Sequence, residues 1–208
     1  MANQQQDTPL EYYRARYRQL DPGDVARRTG LSFDADAGRF SLSVLGFTVY
    51  ADWPQLGLAP ADDTCCPRAL FGFTMQILAA RFLIEGADAP SSGSFKAYRE
   101  LPWGEVYNAN FQGRCIKRLA FTFASKPEKF ANAAEALGGV KLALGDVSYD
   151  LPFLGGVTCR LILWAPDEEF PPSAQFLFSD NTPAAFTAED LAGVGDVVLD
   201  ALKEIGGM

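Results

Sequence analysis

The sequence predicts an α+β fold: a mostly antiparallel sheet packed on helices, with one central helix that is apolar all round. Three observations predict it. Helical and strand-like segments come in blocks, without the regular alternation of a doubly wound parallel sheet. Residues 67–85 have helix length, and Leu70, Phe71, Phe73, Met75, Ile77, Leu78, Phe82, Leu83 and Ile84 cover nearly the whole circumference. A soluble helix of that kind must be enclosed by other elements. Phe40, Leu42 and Val44 alternate with Ser41 and Ser43, the period of a half-buried strand.

Taken in order, Thr8-Pro9-Leu10-Glu11 reads as a capping box that opens a helix through about Leu20, burying Tyr13, Tyr17 and Leu20. Residues 1–7 are expected as a flexible tail. Asp21-Pro22 repeats the cap signal for a short helix stopping at Thr29-Gly30. Strands follow at 40–44 and 47–51 around a turn at Gly46, and the Pro-rich stretch 53–64 is expected to be irregular. The central helix then runs from Pro67, at its first position, to a left-handed cap at Gly86.

A helix is predicted over about 105–124, with Tyr107, Phe111, Cys115, Leu119 and Phe123 stacked at i+4 and Arg114, Lys117 and Arg118 outward. A short helix starts near Pro127. Residues 140–144 and 147–151 form a hairpin with a two-residue turn at Gly145-Asp146. Residues 157–164 are apolar on both faces toward their end, which marks a central strand, and 175–178 form another. The last helix is capped by Thr187 with Asp190 at the third position, and it buries Leu191, Val194, Val198, Leu202 and Ile205.

A chain of 208 residues can bury roughly 70% of its unfolded surface around one core, so residues 1–208 read as one domain. The net charge of −8 argues against a nucleic-acid or anionic-membrane surface, since both attract basic proteins. Residues 181–208 carry five acids and Lys203 alone as a base, read as a solvated acidic face. Gln76 and Arg81 interrupt the longest apolar run below the ~20 residues a bilayer needs. The first residues lack the basic-then-apolar pattern of a secretory signal. The chain therefore reads as soluble and cytoplasmic.

No histidine is present, which removes Ser-His and Cys-His nucleophile pairs, His-ligated metals and the usual near-neutral proton shuttle. Chemistry falls to carboxylates, thiols, Arg, Lys and Tyr. Asp167-Glu168-Glu169, between two strands, can bind a divalent cation or supply an acid–base pair, although such acids in a connection are commonly solvated. Tyr98-Arg99-Glu100 can clamp an anion, or Arg99 can pair with an internal carboxylate, including one in the 167–169 loop. The adjacent Cys65 and Cys66, ahead of the central helix, are the candidate redox pair; Cys115 and Cys159 fall on apolar faces. No Cys-x-x-Cys clip occurs, so neither a metal nor a bound cofactor is expected. Gly-Gly-Val at 138–140 and 155–157 lacks the helix a phosphate loop requires.

Asp21-Pro22, Arg28-Thr29-Gly30, Leu45-Gly46, Tyr98-Arg99-Glu100-Leu101, Leu137-Gly138-Gly139, Gly145-Asp146 and the run Asp167-Glu168-Glu169-Phe170-Pro171-Pro172-Ser173-Ala174 together resemble an uncharacterised domain family of anaerobic bacteria and archaea. The similarity spans about residues 10–205, and the run 167–174 is its most distinctive part. Some members carry an amino-terminal iron–sulfur domain, so the resemblance implies work near low-potential redox or corrinoid metabolism. This chain lacks room and matching cysteines for that domain.

The leading expectation is an accessory or ligand-binding domain without catalysis of its own, serving a redox-protein partner or a small molecule. Tyr98–Glu100 and the 167–173 loop would flank its binding surface. One alternative is an enzyme in which Asp167, Glu168 or Glu169 holds a metal or acts as acid–base while Arg99 orients an anionic substrate. Another is a homo-oligomeric module anchored by exposed Trp53 or Trp103.

Overall fold

The computed structural model describes residues 4–62 and 66–208. Helix α1 (Gln4–Tyr17) begins ahead of the expected cap at Thr8 and carries Pro9 inside it. Its Tyr17 is fully buried, edge-on to the Trp53 ring at 4.9 Å. Helix α2 (Pro22–Thr29) follows the sequence closely: the Asp21 carboxylate accepts the Asp24 N–H at 2.9 Å, and Gly30 ends the helix at φ 69°.

Strands β1 (Phe33–Asp34), β2 (Arg39–Val44), β3 (Phe47–Asp52) and β4 (Leu58–Pro60) form an antiparallel sheet in sequential order. Leu45 and Gly46 both take positive φ, as a tight two-residue hairpin turn demands. The stretch after Trp53 is not wholly irregular. Asp52 and Leu56 N–H bond to the Gly57 and Asp52 carbonyls, turning the chain back so that β4 pairs with β3 despite having no apolar alternation.

The expected helix over 67–85 is broken. A single 3₁₀ turn (Arg68–Phe71) stops at Gly72, whose ψ of 167° is extended, and α3 (Phe73–Glu85) starts afresh. Gly86 is also extended rather than left-handed, with its N–H still held by the Phe82 carbonyl at 2.8 Å. Enclosure is as the composition requires. No residue from Phe73 to Ile84 is exposed, and α1, α2 and the last helix surround the rod.

Strand β5 (Phe95–Ala97) leads into a 3₁₀ turn (Tyr98–Glu100). Helix α4 (Gly104–Phe111), a π-helical segment (Gln112–Lys117) and α5 (Arg118–Phe123) then run on without a break. The π segment explains the i+4 stripe. Four residues overshoot a 3.6-residue α turn, and the wider π turn takes up the excess, so Phe111, Cys115, Leu119 and Phe123 all stay buried while Tyr107 is exposed.

Next come α6 (Pro127–Ala136), β6 (Val140–Leu142), β7 (Val147–Pro152), β8 (Thr158–Trp164), β9 (Ser173–Ser179), α7 (Thr182–Ala185) and α8 (Ala188–Ile205). The β6–β7 connection is wider than two residues, because Leu144 N–H is drawn to the Ser148 hydroxyl and Asp146 N–H to the Leu163 carbonyl. The second sheet has the order β5-β9-β8-β7-β6, antiparallel throughout, with β8 central. The molecule is thus an α+β protein. The sheets meet where Leu45 N–H bonds to the Pro152 carbonyl at 3.0 Å.

Helix α8 buries Leu191, Val194, Val198 and Leu202, each contributing about 1.5–3 kcal/mol. The C-terminal acids are not a plain solvated face. Asp190 is buried against Arg81, and Asp196 and Asp200 pair with Arg114 and Arg118, which reach across rather than outward. Among the described residues no helix is long and apolar enough to cross a membrane.

Candidate functional site

Strand β5 pairs with only three residues of β9: Phe95 with Ser179, Lys96 with Phe178, Ala97 with Leu177. At Tyr98 the chain leaves the sheet, and the reason is the burial of its ring. Tyr98 is 2% exposed, stacks on Phe111 with centroids 4.2 Å apart and planes 2° apart, and donates from its hydroxyl to the Ala188 carbonyl at 2.8 Å. Burial pushes its phenol pKa up. Gly104, where α4 starts, is pressed so closely on the Tyr98 carbonyl that a Cβ would lie 1.8 Å from it. This knot holds the next residue, Arg99, at the surface. Glu100 is spoken for, since its carboxylate accepts the Ala97 N–H at 2.7 Å.

Between this turn, the departing α4 and the uncovered part of β9 lies a cleft of about 200 Å³. Its polar lining is Arg99, Asn108, Gln112 and Gln175; its apolar floor includes Phe176 and Ile116. Asn108, Gln112 and Ile116 recur at spacings of four, on one side of the α4–π segment. Among the described residues no ion pair or side-chain hydrogen bond engages Arg99, Asn108, Gln112 or Gln175.

A larger groove of about 340 Å³ lies between α1, α3 and α8, but its two arginines and Asp190 are already tied to partners. Arg81 sits 2.7 Å from the Asp190 carboxylate and donates to the Tyr13 hydroxyl at 2.9 Å and the Thr187 hydroxyl at 3.2 Å. Asp190 in turn accepts the Thr187 N–H at 2.9 Å and hydroxyl at 2.7 Å, capping α8. Arg114 at its rim is paired with Asp196. That groove is a structural joint, whereas the cleft presents unspent donors.

The acidic loop stands apart. Asp167 accepts the Glu169 and Phe170 N–H groups at 2.8 and 2.7 Å, and these bonds, Phe170's foremost, hold its carboxyl below its ordinary value. Glu168 and Glu169 are exposed. Among the described residues no three acidic or thiol groups converge as a metal ion would need, and no ion pair joins Arg99 to the loop. Loop and cleft nonetheless adjoin, since the loop rejoins the sheet at Ser173, where β9 begins.

Residues 21–201 match the family described as a domain of unknown function, DUF3786. The chain belongs to that family. No curated protein and no solved structure matches it. In this DUF3786 domain the expected residues divide: Tyr98 is core, Glu100 braces its own turn, and Arg99 faces the cleft. Cys66 is half-buried ahead of the short 3₁₀ turn rather than a long helix; Cys65 lies outside the described residues. Trp53 is half-buried against Tyr17, and Trp103 is 80% exposed. Asn108, Gln112 and Gln175 were not anticipated; the i, i+4 placement of the first two was the one signal available.

Proposed function

We propose that the chain is a single ligand-binding accessory domain without catalysis of its own, taking a carboxylate-bearing ligand or partner segment in the cleft beside β9. The observation that carries this is the set of unengaged donors around one concavity: a guanidinium, which matches a carboxylate in bidentate geometry, and three amides. Among the described residues that line it Arg99 is the one charged group, and the Tyr98 phenol is committed to Ala188. Such a lining supports binding. Work near anaerobic redox metabolism, beside an iron–sulfur or corrinoid partner, rests on the family resemblance.

The test is a nuclear magnetic resonance titration with N-acetylglutamate, following the side-chain amides of Asn108, Gln112 and Gln175. Saturable shifts with a millimolar Kd, about −4 kcal/mol, are expected, and Arg99→Gln is to abolish them. Unmoved amide signals in the wild-type protein would refute the reading.

A second reading, a homo-oligomeric module, draws support from Trp103, Val106 and Tyr107, which are 80%, 70% and 51% exposed at helical spacings of three and four. Elution volumes that do not change between dilute and concentrated protein on sizing chromatography would dismiss it.

A further inference from the structure

We infer that a second site, at the seam between the two sheets, takes an ammonium group carried on a short alkyl chain. The pocket there holds about 240 Å³ and lies where α2 ends, beside β2 and the turn joining β7 to β8. None of its lining residues lines the Arg99 cleft. Asp88 is the one charged residue lining it, and among the described residues no hydrogen bond or ion pair engages that carboxylate. Its backbone, by contrast, is tied down. Asp88 N–H bonds to the Arg28 carbonyl, the neighbouring Ala87 N–H to the Ala184 carbonyl, and the Asn181 side-chain amide to the Ala89 carbonyl, each at 2.9 Å. Arg28 sends its own guanidinium to the Leu83 and Gly86 carbonyls instead of to Asp88. A Cβ on Gly30 would stand 3.3 Å from one Asp88 carboxylate oxygen, and a Cβ on Gly156 3.7 Å from the other. Each oxygen therefore borders a glycine, where a side chain would lie against it.

A fixed charge of one sign between apolar walls focuses its field into the concavity. Here the apolar lining is Leu31, Pro152, Phe153, Leu154 and Val157, and the sign is negative, so the pocket selects a cation. A divalent metal ion wants several oxygen ligands in fixed geometry, and among the described residues no three acidic groups converge to supply them. An ammonium asks less, offering three donors on a compact charge. Beside Asp88, the hydroxyls of Ser43 and Thr158 line the pocket as further acceptors, and among the described residues neither makes a hydrogen bond. The apolar lining suits an alkyl chain behind that charge. The volume falls below the ~300–1,000 Å³ of pockets for drug-sized ligands, so the group that enters is small.

The test is a nuclear magnetic resonance titration with n-butylammonium, following the backbone amide signals of Gly155 and Gly156. Saturable shifts with a Kd of about 1–10 mM are expected. n-Butanol, which lacks the charge, and tetramethylammonium, which lacks the N–H donors, should each bind about tenfold more weakly or worse. Asp88→Asn keeps the side chain's shape and breaks no contact, so it should weaken n-butylammonium about tenfold and leave the melting temperature unchanged. Should that variant unfold, the comparison with n-butanol on the wild-type protein decides alone. n-Butylammonium is also the cation of a lysine side chain, and Nα-acetyl-lysine methylamide separates the two sources: equal binding assigns the site to a partner's lysine, weaker binding to a free amine, and either supports it. Unmoved glycine signals at concentrations well above that Kd, n-butanol or tetramethylammonium binding as well as n-butylammonium, or undiminished binding in folded Asp88→Asn would overturn the assignment. The Arg99 cleft is read by other signals and other probes, so its own test is untouched by this result.

Discussion

Tyr98→Phe isolates one hydroxyl beneath the cleft. The change leaves the ring, and hence its stack on Phe111 at 4.2 Å, in place, and removes the 2.8 Å bond to the Ala188 carbonyl. A buried hydrogen bond contributes about 0.5–1.5 kcal/mol net, and an acceptor left wholly unpaired costs about 1–3 kcal/mol. Ala188 opens α8, so its carbonyl also accepts the N–H four residues on and is not orphaned. The expected loss is therefore about 1 kcal/mol, or about 2–4 °C in Tm for a chain of this size. Tyr98→Leu, which also deletes the ring stack, should cost about 3 kcal/mol or more. Urea unfolding followed by tryptophan fluorescence reads both, with an unchanged m-value showing that the denatured state is not at issue. Affinity of the phenylalanine variant for N-acetylglutamate should equal wild type. Undiminished stability in Tyr98→Phe, or weakened binding in it, would refute the assignment of Tyr98 to the core.

Three further outcomes are expected. Asp190→Ala should cost about 2–3 kcal/mol, below the ~3–5 kcal/mol of a fully buried pair because Arg81 keeps some exposure, and adding Arg81→Met should recover part of the loss; strictly additive losses in chemical denaturation would contradict this. Burial first, and then the bond to Glu135, raises the Tyr149 phenol from 10.0 to about 12. The folded state thus keeps a proton the unfolded chain loses, so stability should fall as pH rises from about 10 to about 12, and Tyr149→Phe should flatten part of that fall in urea titrations run at each pH. Burial pushes the Cys115 and Cys159 thiols up, Cys115 to about 12, so Ellman's reagent should label both only after denaturant is added; labelling of either in the native state would contradict their placement.

Local chemistry was legible wherever it acts through neighbours in the chain. Asp21, Pro22 and Gly30 delimit α2, and Thr187 with Asp190 opens α8, because each cap is a contact across three or four residues. The alternation of Phe40 to Val44 and the apolar density of 161–163 likewise located their strands. Elements made by pairing were not legible. The three-residue strands β4 and β5 have no pattern of their own and exist because β3 and β9 offer them an edge. The break at Gly72 is similar, since nothing in an apolar run announces where the chain must turn to dock. For the site, Arg99 could be picked out as a cation beside an aromatic, but Gln175 joins it only through the fold, more than seventy positions away. The same limit applied to Arg81, which reads as an interruption of the apolar run and turns out to meet Asp190 from the other end of the sequence.

The π-helical segment at 112–117 has a consequence for how this helix tolerates change. Each residue of an α-helix advances the chain by about 100°, and the wide turn absorbs one of them, so deleting one position there would let the segment relax into ordinary winding with the residues on either side still in phase. Leu119 and Phe123 would keep their place in the interior, and Asn108 would stay where it is. The surplus residue acts as a phase adjuster: it lets a single rod keep a wet ledge at its front and a dry, ion-paired seam at its back. Homologues one residue shorter at this point are expected to wind as a plain α-helix with both duties intact.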